Sequence, residues 1–299
     1  MEMPVGPGHV HCYLVAGADG YTLVDTGLGL PDASERWAEI FAELDRPVTA
    51  IVVTHFHPDH VGAAADVAQL TGAPVYQGAL DHAQCLHVWG NDEWPDRIAA
   101  WFTRNGVPDD VAGELLEVGR AYAQLIHFVD SPHLLYEGDE VEGWQVAEFP
   151  GHADGHICLL REGTMIVGDH LLATITPAVG LYPESRPDPL SDYLGSLERT
   201  EALAPRIALT GHGEPVADPA ARAREITAHH RARLDSAAAA LRREPQSGYE
   251  LSFALFPQAA EPSARRFAVA ETLSHLERLV VEGRARRADD GTCLTYTQP

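Results

Sequence analysis

The string Thr54-His55-Phe56-His57-Pro58-Asp59-His60 ends an apolar run that begins at Val48, and the pattern has three echoes downstream. Gln145 to Phe149 precedes His152, Thr164 to Val167 precedes Asp169, and Ile207 to Thr210 precedes His212. In each case a short β-prone run stops just before a residue of metal-ligating type. Such a chain is expected to bring separated strand ends to one edge of a sheet framework, a rigid way to hold a site. His55 and His57, two apart in an extended loop, can point the same way, while Asp59 and His60 open the next helix, so one loop can feed two ions. A lone His-x-His is common, whereas the full string with its matched downstream partners is specific. Together they offer five imidazoles and two carboxylates, enough for two zinc-like ions with room for a bridging hydroxide. The chain therefore reads as a hydrolase.

Charge narrows the substrate. The formal net charge is −23, and all 21 basic residues are Arg. A surface this negative repels phosphate backbones, so a nucleic-acid partner is disfavoured and a small-molecule substrate expected. Cys12, Cys85, Cys158 and Cys293 are scattered without C-x-x-C spacing, which points to neither a zinc ribbon nor a redox pair and fits a reduced, cytoplasmic compartment. No stretch approaches the roughly 18 apolar residues of a membrane span, and Met1 to Gly6 has no signal-peptide character.

The first hairpin is expected over His9 to Ala16 and Tyr21 to Asp25, with a helix from Ser34 to Leu44 capped by Asp32 or Ser34 and another from His60 to Leu70 stopped by Gly72. Residues 80–136 read as an insertion, helical in its second half from Asp109 to Phe128 and rich in rings: Trp89, Trp94, Trp101 and Phe102. It is either a surface elaboration with its own small core or, as we favour, a lid forming an apolar substrate wall. The domain division reads as 1–217 catalytic, 218–247 a connecting helix whose His229 and His230 lie on a solvated face, and 248–299 a small α/β unit. In that unit a helix from Ser263 to Glu282 leads into a hairpin turning at Asp289-Asp290-Gly291 and resembles a winged helix. Residues 260–299 carry six Arg and six acids, a local neutrality that suits packing or homodimer formation over DNA reading.

In order and motif the chain resembles the metallo-β-lactamase superfamily, on its glyoxalase-II-like side, over about residues 9–215. The shared residues are Val24-Asp25-Thr26-Gly27, Thr54 to His60, Gly151-His152, Gly168-Asp169 and Gly211-His212. The tail is similar to the extension carried by the lactamase-like hydrolase branch. The resemblance implies an α/β fold, an αββα sandwich, with His55, His57 and His152 on one metal, Asp59, His60 and His212 on the second, and Asp169 bridging. Asp at 169 separates this pattern from lactamases with Cys there, which counts against β-lactam hydrolysis. Family members begin with a further strand, and only Met1 to Gly8 precedes the first hairpin here. The metals are expected to be zinc, with manganese or iron equally compatible with His and Asp ligands.

The expected reaction is attack of the bridging hydroxide on the carbonyl of a small thioester, ester or lactone, with Asp59 orienting the nucleophile and carrying its proton. Tyr182 reads either as a substrate contact or as a ring packed in its loop. Asp25 reads as a support for the metal loop or a turn residue, and His156 and His170 as supporting rather than ligating. Alternatives are a metal-dependent nuclease, a sulfur dioxygenase with mononuclear iron, and a metal-bearing binding protein without catalysis.

Overall fold

Strand direction explains why the ligand-bearing loops meet. In the computed structural model, which describes residues 1, 8–259 and 261–299, the chain starts with β1 (Tyr13–Ala16), β2 (Tyr21–Val24), α1 (Ala33–Ala42) and β3 (Val48–Val53). Next come α2 (Pro58–Val61), α3 (Ala64–Thr71), β4 (Val75–Gly78), α4 (Ala79–Val88), α5 (Trp94–Arg104), α6 (Asp109–Ala123) and β5 (His133–Leu135). These strands form one sheet in the order β1-β2-β3-β4-β5, parallel except for the β1–β2 hairpin.

A second sheet is built from β6 (Glu140–Val141), β7 (Trp144–Glu148), β8 (Ile157–Arg161), β9 (Thr164–Gly168), α7 (Pro189–Leu203) and β10 (Ile207–Thr210), its strands ordered β10-β9-β8-β7-β6. Because β8 runs antiparallel to both β7 and β9, and β10 is parallel to β9, the strands β7, β9 and β10 all point one way. Their C-terminal ends deliver His152, Asp169 and His212 to the same edge.

Alternation along the strands makes three cores. Ala50 and Val52 of β3 face Ile157, Leu159 and Ile166 across the gap between the sheets. Ile51 and Val53 point the other way, to Trp37 of α1, Val67 of α3 and Cys85 of α4. Tyr21 pairs with Val48 but Thr22 with Ala50, so Thr49 is an extra residue that bulges β3 and puts Val48 and Ala50 on opposite faces. On the far side Met165 and Val167 of β9 pack with Leu197 of α7. The result is the αββα order. Ile51 is wholly buried, and truncating such a side chain to Ala costs about 2–5 kcal/mol.

The tail follows as α8 (Pro219–Ala240), β11 (Gln246–Ser247), α9 (Gly248–Leu255), α10 (Pro262–Val281), β12 (Arg286–Asp289) and β13 (Leu294–Thr297). Helix starts are written locally. Asp188 and Asp218 each precede a proline at the first helical position and accept from the backbone of Ser191 and Ala221. Ser247 and Glu250 close a capping box on α9. The buried Tyr296 hydroxyl donates to Glu277 of α10 at 2.7 Å, and Arg278 of α10 reaches Asp188 at 3.0 Å, which ties the tail to α7.

Several expectations need correction. The helix expected from His60 to Leu70 is two helices, because Gly62 packs against the backbone of Gly27 and Gly29 and its carbonyl accepts from His127. Asp32 makes no cap bond and instead pairs with Arg36. The 80–136 segment is helical in its first half as well, through α4 and α5, and its end joins the first sheet as β5 beside β4. His230 is fully buried rather than on a solvated face. The expectation about Met1 to Gly8 falls mostly on residues 2–7, which lie outside the described residues.

Candidate metal centre

All seven candidate ligands converge. His55, His57 and His152 present ligand atoms within 4.8 Å of one another, as do Asp59, His60 and His212, and as do His55, His60 and Asp169. Asp169 lies between the first two groups: its oxygens are 3.5 Å from His60 Nε2, 3.7 Å from His152 Nε2 and 3.3 Å from His212 Nε2. Asp59 Oδ2 lies 3.2 Å from His212 Nε2.

Backbone and side-chain acceptors aim the rings. His152 Nδ1 donates to the Ala178 carbonyl at 2.7 Å and His212 Nδ1 to the His9 carbonyl at 2.6 Å. His60 Nδ1 donates to Asp25 Oδ2 at 2.8 Å. The Thr54 hydroxyl donates to the same carboxylate at 2.9 Å and so accepts from His55 Nδ1 at 3.1 Å. Since these partners accept, each ring carries its proton on Nδ1 and turns an Nε2 lone pair inward. Asp25 thus sets two rings at once. It does so from a left-handed backbone, φ 60°, braced by the Thr54 amide on Oδ1 at 2.8 Å.

The donor set fits divalent metal. His60 Nε2, His152 Nε2 and Asp169 Oδ1 are buried without a hydrogen-bond partner, a costly state that a cation removes. His55 Nε2 and His57 Nδ1 stand 3.0 Å apart, close to the spacing of two nitrogens on one ion. Electrostatics splits the set in two. Burial, reinforced by neighbouring imidazoles, holds His55 well below its usual pKa, and takes His57 down to about 3. Burial works against charge on His212 too, but its bonds to Asp169 and Asp59 prevail and lift it to about 10. On His60 the Asp25, Asp169 and Asp59 carboxylates likewise outweigh burial and raise its pKa. Asp169 goes the opposite way, burial being overcome by His60 and His212, which keep it ionised.

Other sequence candidates fall into supporting places. His156 stacks behind His55, ring centroids 4.8 Å apart, and belongs to none of the ligand groups. His170 turns away, bonding the Thr200 hydroxyl at 2.7 Å. Tyr182 packs near Trp101 of α5, centroids 5.8 Å apart, and the adjoining Leu181 amide donates to Ala270 of α10. Asp81 went unnoticed in the sequence. It is fully buried and accepts from the Phe56 amide at 3.0 Å and from Gln77 at 2.6 Å, bracing the loop between His55 and His57. Only its place four residues after Gln77 on the same strand-helix corner hinted at this. Trp89 braces the same loop, donating to the Phe56 carbonyl at 2.8 Å.

The insertion is bolted to the loop after Asp169. Arg97 of α5 and His87 of α4 both reach Glu184, and Gln84 bonds Asp154 at 2.7 Å. Among the seven candidates, His57, Asp59 and His152 retain some exposure while the other four are buried, so the centre opens to solvent on the side of those three. Among the described residues no helix is long and apolar enough to cross a membrane.

Comparison with known proteins gives two family matches: the metallo-beta-lactamase superfamily over residues 5–212, and the metallo-beta-lactamase-like C-terminal domain over residues 234–298. A probable metallo-hydrolase of Bacillus subtilis, YqjP, is 30% identical, with 93% of this chain and 90% of that protein covered. The crystal structure of a metallo-beta-lactamase family protein from Thermus thermophilus is 36% identical and superposes with a TM-score of 0.88, covering 100% of this chain and 96% of that one. An atrochrysone carboxyl ACP thioesterase of Aspergillus chevalieri is 28% identical over 58% of this chain and 44% of its own length.

Proposed function

Because the chain belongs to the metallo-β-lactamase superfamily and is a metal-dependent hydrolase, we propose that it hydrolyses a small thioester, ester or lactone at a two-metal centre. One observation carries the reading: two three-residue ligand groups share Asp169 between them, and the unpartnered atoms of His60, His152 and Asp169 face inward. His55, His57 and His152 would hold one ion, Asp59, His60 and His212 the other, with Asp169 common to both. Two divalent ions bound there would supply water of lowered pKa and a polarised carbonyl.

The chain's own residues do the rest. Asp59 is partly exposed and its carboxylate stands 3.2 Å from His212 Nε2, at the edge of the centre, so it can orient the attacking water and accept its proton. Asp25 and Thr54 hold His60 and His55 in the tautomers that keep Nε2 free. Trp101 and Tyr182 form an aromatic wall suited to an apolar acyl group. A relative named as an acyl-carrier thioesterase supports a thioester among the substrates. We read the tail of α9, α10 and the β12–β13 hairpin as a winged-helix-like module used for packing, in keeping with the net charge of −23.

The test is metal analysis of protein purified without added metal, followed by a panel of thioesters, lactones and phosphodiesters. Thioester or lactone turnover abolished by chelation and by Asp169→Ala is expected. Turnover of phosphodiesters alone, or one iron per chain with oxygen consumption, would overturn the proposal.

A further inference from the structure

Where α8 crosses α10, three groups meet that the hydrolytic site does not use. His230 of α8 and His275 of α10 are fully buried. Glu271 stands one helical turn before His275, so the two project from the same face of α10. One ligand atom from each of the three lies within 4.8 Å of the other two.

The rings are arranged as ligands are. His275 Nδ1 donates to the Glu271 carbonyl at 2.8 Å, the device that frees Nε2 on His152 and His212, and its Nε2 lone pair is thereby directed at His230. His275 Nε2 and His230 Nδ1 are 3.3 Å apart. Two nitrogens on one tetrahedral zinc, each about 2.0–2.1 Å from it, stand roughly 3.3 Å apart. A shared proton between neutral rings would account for that contact alone. It leaves one fact over: the Glu271 carboxylate, grouped with both rings, makes no ion pair or side-chain hydrogen bond among the described residues. The neighbouring Arg233 is committed to the Leu255 carbonyl and to His229. Burial lifts the Glu271 carboxyl to about 7, so a cation there would also settle a carboxylate that is otherwise poorly compensated.

We infer that His230, Glu271 and His275 form a further divalent-cation site, distinct from the seven-residue centre, that clamps α10 to α8. Two imidazoles and one carboxylate select a first-row ion of the zinc class over calcium or magnesium, which prefer all-oxygen shells. Tyr193 meets His230 edge-on at 5.5 Å and also packs against Gly151, beside the ligand His152. The clamp therefore stands behind one loop of the hydrolytic centre.

The test counts zinc in the full-length chain after stripping with chelator, reloading by dialysis and desalting. His275→Gln and Glu271→Gln are each expected to lose one equivalent per chain relative to the unaltered protein. In a chain carrying His57→Ala and Asp169→Ala, zinc content should likewise fall by one equivalent on adding His275→Gln. The difference of one equivalent decides, whatever number the seven-residue centre holds. Equal zinc content in the unaltered chain and in either folded variant, with circular dichroism reporting the fold, would overturn the inference.

Discussion

Asp25 carries more of the centre than its place outside the ligand groups suggests, since its carboxylate fixes His60 directly and His55 through the Thr54 hydroxyl. Asp25→Asn keeps the size but weakens both contacts, and metal affinity is expected to fall about 10–100-fold, measured by competition with a chromogenic chelator; unchanged affinity would argue that Asp25 merely turns the chain. Asp59→Asn should lower turnover by about 10²–10⁴-fold, beyond any loss of bound metal measured on the same sample, and full activity at full occupancy would remove Asp59 from proton transfer. The ligand types were legible because the chemistry needs them at fixed spacing after strands. The supports were not: Asp81, Ala178 and His9 act through contacts between segments distant in the chain, and Asp25 through a left-handed backbone that no local pattern announces.

Helices and loops set the distances among those residues, and glycine makes some of the approaches possible. A Cβ on Gly211 would press on Asp169 Oδ1 and come within 2.8 Å of His60 Cε1. Gly211→Ala is accordingly expected to lose bound metal while keeping its circular dichroism, whereas full loading would show that the loop can yield. Trp101→Ala removes the ring beside Tyr182 and should raise KM for apolar acyl substrates several-fold while leaving kcat for the smallest esters nearly unaltered. Element boundaries were readable where a cap is written into the sequence, as at Asp218-Pro219 and Gly72. α5 shows the limit. Trp94, Ile98, Trp101 and Phe102 have helical spacing with Pro95 in the first turn, yet so many rings in one stretch read first as a wall and only second as a helix. The break between α2 and α3 depends on the Gly27–Gly29 loop and His127, tertiary partners that a window of sequence does not contain.

Across the whole molecule, stability should track both metal and pH. Ions bound only by the folded chain stabilise it by mass action, so chelation should lower the unfolding temperature, by calorimetry, and zinc should restore it. After chelation, His170 and His230 remain neutral inside the fold, burial holding each down to about 3 against an ordinary 6.5. Their contribution is complete above pH 6.5 and is lost as pH falls toward 3, where the unfolded chain binds more protons, at a cost on the order of a few kcal/mol. Urea midpoints of the chelated protein should drop steadily over that window, and a flat profile would contradict the buried neutral state. Strand patterning made legible only that ligand-bearing strand ends share one sheet edge, the αββα order following from the family resemblance; how the tail sits was not legible, because the contacts of Arg278 with Asp188 and of Leu181 with Ala270 join distant segments. Those contacts have a bearing on protein engineering. The Ala178 carbonyl that aims His152 lies three residues before Leu181, which α10 holds in register. Exchanging tails between homologues would therefore retune the metal centre from a distance, and a chimera should be screened for metal retention before it is screened for new substrates.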